Sequence, residues 1–226
     1  MKLVNVRSLA ETVDRVNEAF SSEKKLTRQE RKRAAEWIAK RQGLKGAYAS
    51  MFAPTAYDFK KGIRVFTGER ITSSAAIGHI LGEETSRALI LLGIDNALVR
   101  NALHRATKGM QARLNASVKR NRGFYCCGTC TAALWRHLTA GGLDHSATRL
   151  RNGVTVLKKY RDGHGRWRRF PFYYTLLALT EIDTVVAKTE MSYAAQACVR
   201  LVSRQNTKDK YGRRRLKLLK TVLQYS

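Results

Sequence analysis

Proline, the residue that most often interrupts a helix, occurs only twice in this chain of 226 residues, at Pro54 and Pro171. Long windows are therefore free for helix. No stretch alternates apolar and polar residues between hairpin turns, as half-buried β-strands would. We predict an all-α fold. A chain of this length, 44% apolar, holds one sizeable core or a short repeat array, so we predict a single domain.

Two sequence signals mark helix starts near the N-terminus. Ser8 is followed three residues later by Glu11, and Thr27 by Glu30, which is the capping-box pattern. Thr55, after Pro54, begins a short third helix. The first two helices are predicted at about 8–20 and 27–42. The chain as a whole is predicted to consist of an N-terminal helical segment 1–69, helix-pair repeats 70–205 and a basic C-terminal helix 206–226.

The repeat prediction depends on a recurring aliphatic residue followed by aspartate. Ile94-Asp95, Leu143-Asp144 and Ile182-Asp183 recur at intervals typical of two-helix repeats. Each aspartate is predicted to cap the second helix of its pair, because a carboxylate at that position accepts free amide hydrogens. The second helices are predicted at 97–110, 146–160 and 184–203, and the pairs are predicted to stack in the manner of HEAT or α/α repeats. The alternative is chance self-similarity within an all-helical chain.

The loops before the pairs, and the run after the last pair, share basic and aromatic residues. In a stack of repeats equivalent loops fall on one rim, where cations bind phosphates and rings stack on bases. The predicted nucleic-acid-binding residues are Lys60, Lys61, Arg64, Lys119, Arg120, Arg122, Tyr125, Arg166, Trp167, Arg168, Arg169, Arg213, Arg214 and Arg215.

The charge of the chain favours a polyanionic partner. There are 43 basic and 17 acidic side chains, a net charge of +26, and Asp144 is the only carboxylate between residues 96 and 161. Ordinary solvated surfaces mix the two signs, so this imbalance predicts binding to nucleic acid, with double-stranded DNA as the expected partner. An anionic membrane surface and an acidic protein are the alternatives. The C-terminal basic helix could dock on the stack, contact DNA or lie on a membrane.

Location and redox state follow from what the sequence contains. The N-terminus does not resemble a signal peptide, and the most apolar window, 77–99, carries too many charges for a membrane span. We predict a cytoplasmic protein without a membrane partner. Four cysteines, with Cys126 and Cys127 adjacent, are expected to be reduced. The oligomeric state is not indicated.

One segment resembles a known family. Gly123 to Leu134, with Asp162 to Trp167 and Phe170 to Leu179, looks like the α/α repeats of terpenoid cyclases and protein prenyltransferase β-subunits. The resemblance implies a barrel of helix pairs around an apolar cavity. The chain lacks the aspartate-rich diphosphate motifs, and the segment 171–174 lacks the zinc-binding histidine of the prenyltransferases. The resemblance therefore bears on architecture.

The size and charge of the chain are also similar to those of the HEAT-like alkylpurine DNA glycosylases, which hold DNA against a basic concave face. This is an analogy of architecture and not a match of sequence motifs. A glycosylase needs a carboxylate beside the extruded nucleotide. Glu83 and Glu84, with His79 one turn earlier, are the predicted catalytic residues, and the alternative for them is a polar stripe on an apolar helix.

Cys127 and Cys130 have zinc-like spacing but lack a second close pair, so buried thiols are expected there, and no metal or cofactor is predicted. The predicted function is a DNA glycosylase of repair or defence. The alternatives are a non-catalytic DNA- or RNA-binding protein and an α/α-barrel enzyme acting on a small molecule.

Overall fold

The computed structural model describes residues 2–116 and 123–225, and these residues form ten α-helices and one short hairpin. The helices are α1 Leu9–Ser21, α2 Arg28–Ala39, α3 Ala56–Lys61, α4 Ser74–Leu92, α5 Ala97–Asn115, α6 Gly128–Thr139, α7 Ser146–Leu157, α8 Phe172–Thr180, α9 Val185–Val202 and α10 Lys210–Leu223. The prediction of an all-α single-domain fold is confirmed. The hairpin, which the sequence analysis did not predict, pairs β1 Ile63–Arg64 with β2 Arg70–Ile71 in antiparallel register.

The two predicted N-caps are present. The Ser8 hydroxyl accepts the amide of Glu11, and Thr27 forms a full capping box with Glu30. The box at Ser8 is incomplete, because the Glu11 carboxylate accepts a hydrogen bond from the Asn5 side chain. Helix starts were therefore readable from local side-chain chemistry.

The three repeated aspartates are not the caps, which corrects the sequence-based prediction. The helix begins one residue later in each case, so the cap residues are Asn96, His145 and Thr184. Each aspartate instead forms an ion pair with a base five residues on. These pairs are Asp95 with Arg100 at 2.5 Å, Asp144 with Arg149 at 2.8 Å and Asp183 with Lys188 at 2.8 Å. The same local arrangement thus recurs at all three positions.

Consecutive helices pack as the pairs α4–α5, α6–α7 and α8–α9. The first helices of successive pairs also touch, α4 with α6 and α6 with α8, so they form a continuous inner row. α1 and α2 cover α4, and α10 packs on α8 and α9 through Leu218, Leu219 and Val222. The basic C-terminal helix therefore docks on the stack.

Burial places α4 at the centre of the molecule. Every residue from Ile77 to Ser86 is buried, including the predicted catalytic residues. Within residues 2–116 and 123–225, no helix is both long enough and apolar enough to cross a membrane.

Candidate functional site

The predicted catalytic residues are all buried in α4, with exposed fractions of 2% for His79, 0% for Glu83 and 5% for Glu84. Neighbouring residues of a helix point about 100° apart, so Glu83 and Glu84 enter different surroundings. The two carboxylates consequently belong to two separate polar clusters.

Glu84 belongs to an ion-pair cluster. Its carboxylate accepts hydrogen bonds from the Arg136 guanidinium, from the Tyr174 hydroxyl and, at 3.0 Å, from the Asn17 amide. Arg136 also donates two 3.0 Å hydrogen bonds to Glu181. Burial alone would raise the pKa of Glu84, but the Arg136 charge and the other donors hold that pKa below its ordinary value. Glu84 is therefore a counter-ion inside the fold.

Glu83 belongs to a histidine cluster. One of its oxygens lies 2.5 Å from Nδ1 of His137, and the other lies 3.7 Å from Nε2 of His79. Burial would raise the pKa of Glu83, yet the hydrogen bond with His137 and the proximity of His79 lower it. The His79 ring stacks on Tyr48 with centroids 4.3 Å apart and meets Tyr125 at 4.0 Å, so its orientation is fixed by packing.

Three cysteines lie at the start of α6, next to His79. Cys127 caps the helix, its sulfur accepting the Cys130 amide at 3.4 Å, and Cys126 lies 4.0 Å from Nδ1 of His79. Single ligand atoms of His79, Cys126 and Cys130 all lie within 4.8 Å of one another. Cys126 and Cys127 are exposed, whereas Cys130 is buried.

The thiols in this group differ in acidity. The neighbouring thiols of Cys127 and Cys130, together with His79, lower the pKa of Cys126. The same proximity, starting with Cys126, and burial raise the pKa of Cys130. The sequence analysis identified His79 and the cysteines separately, and missed their juxtaposition because 47 residues separate His79 from Cys126.

Most of the described cations predicted to bind nucleic acid are exposed. Arg214 is an exception, since its side chain is only 9% exposed and pairs with Asp14 and Glu18, and Arg215 is half-buried, donating to the Thr67 carbonyl. Lys119, Arg120 and Arg122 lie outside the described residues. The exposed cations, which we call the basic edge, are Lys60, Lys61, Arg64, Arg166, Arg168, Arg169 and Arg213.

The two aromatic residues predicted for the same surface are in the core. Trp167 is 2% exposed and donates its indole hydrogen to Glu190 at 2.8 Å. Tyr125 is 1% exposed, and its hydroxyl lies 2.5 Å from that of Tyr48. Each ring fills an internal space and satisfies its polar atom there, so neither ring faces outward in this structure.

Contacts connect the segments that carry the basic edge. On one side, Glu69 of the hairpin accepts the Tyr174 amide at 2.9 Å. Arg215 of α10 donates to Thr67 at 2.6 Å and lies 4.7 Å from the Tyr173 ring centroid. The hairpin, the start of α8 and the start of α10 are therefore neighbours.

The loop before α6 joins the same group. The rings of Phe124 and Phe170 meet with centroids 5.8 Å apart. A Cβ atom at Gly128 would lie only 2.2 Å from the Arg169 carbonyl oxygen, which measures how closely the two segments approach. The described parts of the segments that the sequence analysis expected to share a rim therefore contact one another in pairs, while the cations of the loop before α6 lie outside the described residues.

A cavity of about 580 Å³ opens beside the Glu84 cluster. Arg136 and Glu181 line it, whereas Glu84 does not. Its other walls include the carboxylate Glu18, which pairs with Arg214, and a set of apolar and cationic side chains, namely Phe20, Phe66, Leu91, Leu177 and Leu218 with Arg87, Lys210, Arg213, Arg214 and Lys217.

Comparison with known proteins identifies no relative: no family model, no curated protein and no solved structure matches this chain. Its function is therefore argued from the residues themselves.

Proposed function

We propose that this protein binds double-stranded nucleic acid, with DNA as the expected form, along the basic edge. The observation that carries the proposal is that three segments bearing the exposed cations adjoin one another, namely the hairpin, the loop that leads into α8 and the start of α10, through the contacts of Glu69 and Arg215. Cations on neighbouring loops can follow the repeated phosphates of a backbone, as single scattered cations cannot.

The placement of the carboxylates supports this function. Glu84, Glu181 and Glu190 are each engaged by arginines inside the fold, and Asp14 and Glu18 are engaged by Arg214. These five carboxylates are paired with arginines of the fold, and the net charge of +26 leaves Lys and Arg in large excess over the remaining acidic side chains.

The burial of the aromatic rings favours a duplex over a single strand. Proteins that hold single strands use exposed rings as stacking platforms. Trp167 and Tyr125 are buried, so the two rings predicted for this surface are not available there for stacking on bases, whereas the cations of the basic edge are exposed. Such a surface suits backbone contacts.

Base excision has weaker support than binding. Glu83 and Glu84 are buried and hydrogen-bonded to internal partners, so neither carboxylate faces a cavity of nucleotide size among the described residues. Release of free base from alkylated or deaminated duplexes, with Glu83→Gln and Glu84→Gln as variants, remains the direct assay.

The binding proposal is tested by fluorescence anisotropy with a labelled duplex. We expect affinity to fall about a thousandfold between about 50 and 200 mM salt if about six phosphates are contacted. The double variant Arg168→Glu/Arg169→Glu should bind at least about tenfold more weakly and show a shallower salt slope. The matched control, Arg28→Glu/Arg33→Glu, makes the same charge change on exposed residues of α2.

Equal losses in the two double variants would show that binding follows net charge and does not involve the basic edge. Absence of binding at low salt would refute the proposal altogether.

The cavity supports a second candidate function, recognition of a small anionic amphiphile. Its volume of about 580 Å³ is typical of small-molecule sites. Lys217 donates to the Ser21 carbonyl and Arg213 to the carbonyls of Thr207 and Lys208, so among the described residues no carboxylate neutralises these two cations. An anionic head beside Lys217 and a chain along Leu177 would match this lining.

Thermal shift with decyl phosphate, using decanol as the uncharged control, tests this second function. We expect stabilisation by the phosphate only, and its loss in Lys217→Met. Filling the cavity with Leu177→Trp should abolish the shift as well. Equal shifts with both compounds, or a shift that survives both substitutions, would exclude an anion site in this cavity.

A further inference from the structure

We propose that His79, Cys126 and Cys130 form a zinc-binding site with three protein ligands and a fourth position open to solvent. The proposal is independent of nucleic-acid binding. It concerns a group of side chains that the sequence places far apart and the packing of α4 against α6 brings together.

The ligand atoms are already close to the required geometry. Zinc binds thiolate sulfur at about 2.3 Å and imidazole nitrogen at about 2.0–2.1 Å in a tetrahedron, which separates ligand atoms by roughly 3.5–4 Å. Cys126 Sγ lies 4.0 Å from His79 Nδ1, and all three ligand atoms lie within 4.8 Å of one another. The separations of the three ligand atoms therefore exceed those of a tetrahedral site by no more than about 1 Å.

The backbone holds these ligands in place. Cys130 lies in the first turn of α6 and Cys126 directly precedes the cap residue Cys127, so the start of this helix brings both sulfurs to within 4.8 Å of each other. The start of α6 is fixed by the close approach of Gly128 to Arg169, and the His79 ring is fixed between Tyr48 and Tyr125. The site is therefore preorganised by packing from several elements.

Glu83 supplies the partner that metal-bound histidines commonly have. A ligating imidazole usually donates its other N–H to a carboxylate, which fixes the tautomer and makes the ligand more basic. Nε2 of His79 lies 3.7 Å from Glu83, while Nδ1 faces the sulfur. Both of these buried atoms, Nε2 of His79 and Oε1 of Glu83, lack a hydrogen bond of normal geometry within the structure described. Ligation of zinc by Nδ1 of His79 would account for the burial of His79 together with Glu83.

A Cys126–His79 nucleophile is the competing interpretation of the same atoms. It accounts for one thiol beside an imidazole, but not for a second, buried thiol in the same group. Zinc uses both. Since Cys126 is exposed whereas His79 and Cys130 are buried, the open coordination position faces outward, where water or a substrate atom would bind.

Metal-depleted full-length protein, kept under a reducing agent, is titrated with Co²⁺ and then with Zn²⁺. We expect one Co²⁺ per chain, with sulfur-to-cobalt charge-transfer bands and the d–d absorption of a tetrahedral site, and displacement by Zn²⁺. Cys126→Ser and Cys130→Ser should each weaken binding at least about tenfold. Cys198→Ser, which alters a buried cysteine on α9, is the matched control and should bind as the wild type does.

Glu83→Gln tests the positioning role. We expect a tetrahedral cobalt spectrum of unchanged type with affinity reduced about tenfold to a hundredfold. Circular dichroism of each variant establishes that it is folded, and the exposed Cys126 keeps the test valid if Cys130→Ser unfolds. Three outcomes would overturn the zinc site: absence of the charge-transfer bands, retention of the wild-type cobalt affinity in Cys126→Ser, or rapid alkylation of Cys126 that Zn²⁺ does not slow.

Discussion

At the scale of single residues, the adjacent carboxylates Glu83 and Glu84 show that one residue's shift along a helix changes the partners of a buried side chain. Glu84 faces Arg136 and is held by direct charge pairing, whereas Glu83 faces two imidazoles and, through His79, the thiol group. The sequence singled out both residues correctly as unusual, because charged side chains are rare on an apolar helix. It could not assign Arg136 and His137 as partners, because both lie on α6, more than fifty residues away along the chain.

The pKa of Glu84 makes a prediction about acid stability. Because the folded-state pKa lies below the ordinary value of 4.5, ionised Glu84 stabilises the fold above that value, and the contribution is lost as pH falls through the lowered pKa. Glu84→Gln should be destabilised at neutral pH, by up to about 3–5 kcal/mol, since it leaves part of the Arg136 charge uncompensated.

Its melting temperature should also depend less on pH below about pH 5 than that of the wild type. Calorimetry across this range measures both effects. Glu36→Gln, which removes a 3.9 Å surface pair with Lys32, should change stability by less than about 1 kcal/mol. Parallel pH profiles for wild type and Glu84→Gln would contradict the assignment of Glu84 as a buried, ionised group.

At the scale of elements, the sequence predicted where helices form, but it predicted only in part how those helices pack against one another. Capping residues and scarce proline predicted α1, α2 and the second helices to within a few residues at most ends. The aspartates were misassigned as caps because a carboxylate one residue before the true cap carries the same sequence signal. Their i to i+5 ion pairs depend on where the first helical turn actually begins.

Gly109 of α5 is an element-scale test, because α5 there meets the backbone of the turn Tyr48–Ser50. A Cβ atom at Gly109 would lie 2.1 Å from the Ala49 carbonyl oxygen. Alanine normally stabilises a helix by about 1 kcal/mol over glycine, but here the backbone contact should reverse the sign, so Gly109→Ala should destabilise by about 1–3 kcal/mol.

Urea unfolding gives the two free energies. Ala112→Gly, at an exposed position of the same helix, should cost only the propensity term of about 1 kcal/mol. A Gly109→Ala protein more stable than wild type would mean that α5 does not approach the turn this closely. Because the turn carries Tyr48, the same substitution is also expected to disturb the packing on His79.

At the scale of the whole molecule, the net charge can be read from the composition, whereas the roles of individual residues depend on tertiary contacts. Basic loops were expected on one rim, and the described segments do touch one another. Their aromatic residues were expected outside and lie inside, because Trp167 finds a buried carboxylate, Glu190, that sequence spacing does not reveal. The cysteine–histidine group was missed for the same reason, since it exists only through the contact of α4 with α6.

A net charge of +26 should make the free protein sensitive to screening. The Debye length shrinks from about 30 Å at 0.01 M to about 8 Å at 0.15 M salt, so repulsion across the surface weakens while the buried pairs of Arg136 and Arg214 are little affected. We expect the melting temperature to rise by several degrees over this range, about 2–4 °C for each kcal/mol of relieved repulsion.

Arg168→Glu/Arg169→Glu should start from a higher melting temperature at low salt and gain less from added chloride. A short duplex at low salt should stabilise the wild type more than this variant, because binding to the folded state alone adds to stability. A melting temperature that falls as chloride is added would mean that attractive surface pairs outweigh the repulsion, and the basic surface would then need no partner to neutralise it.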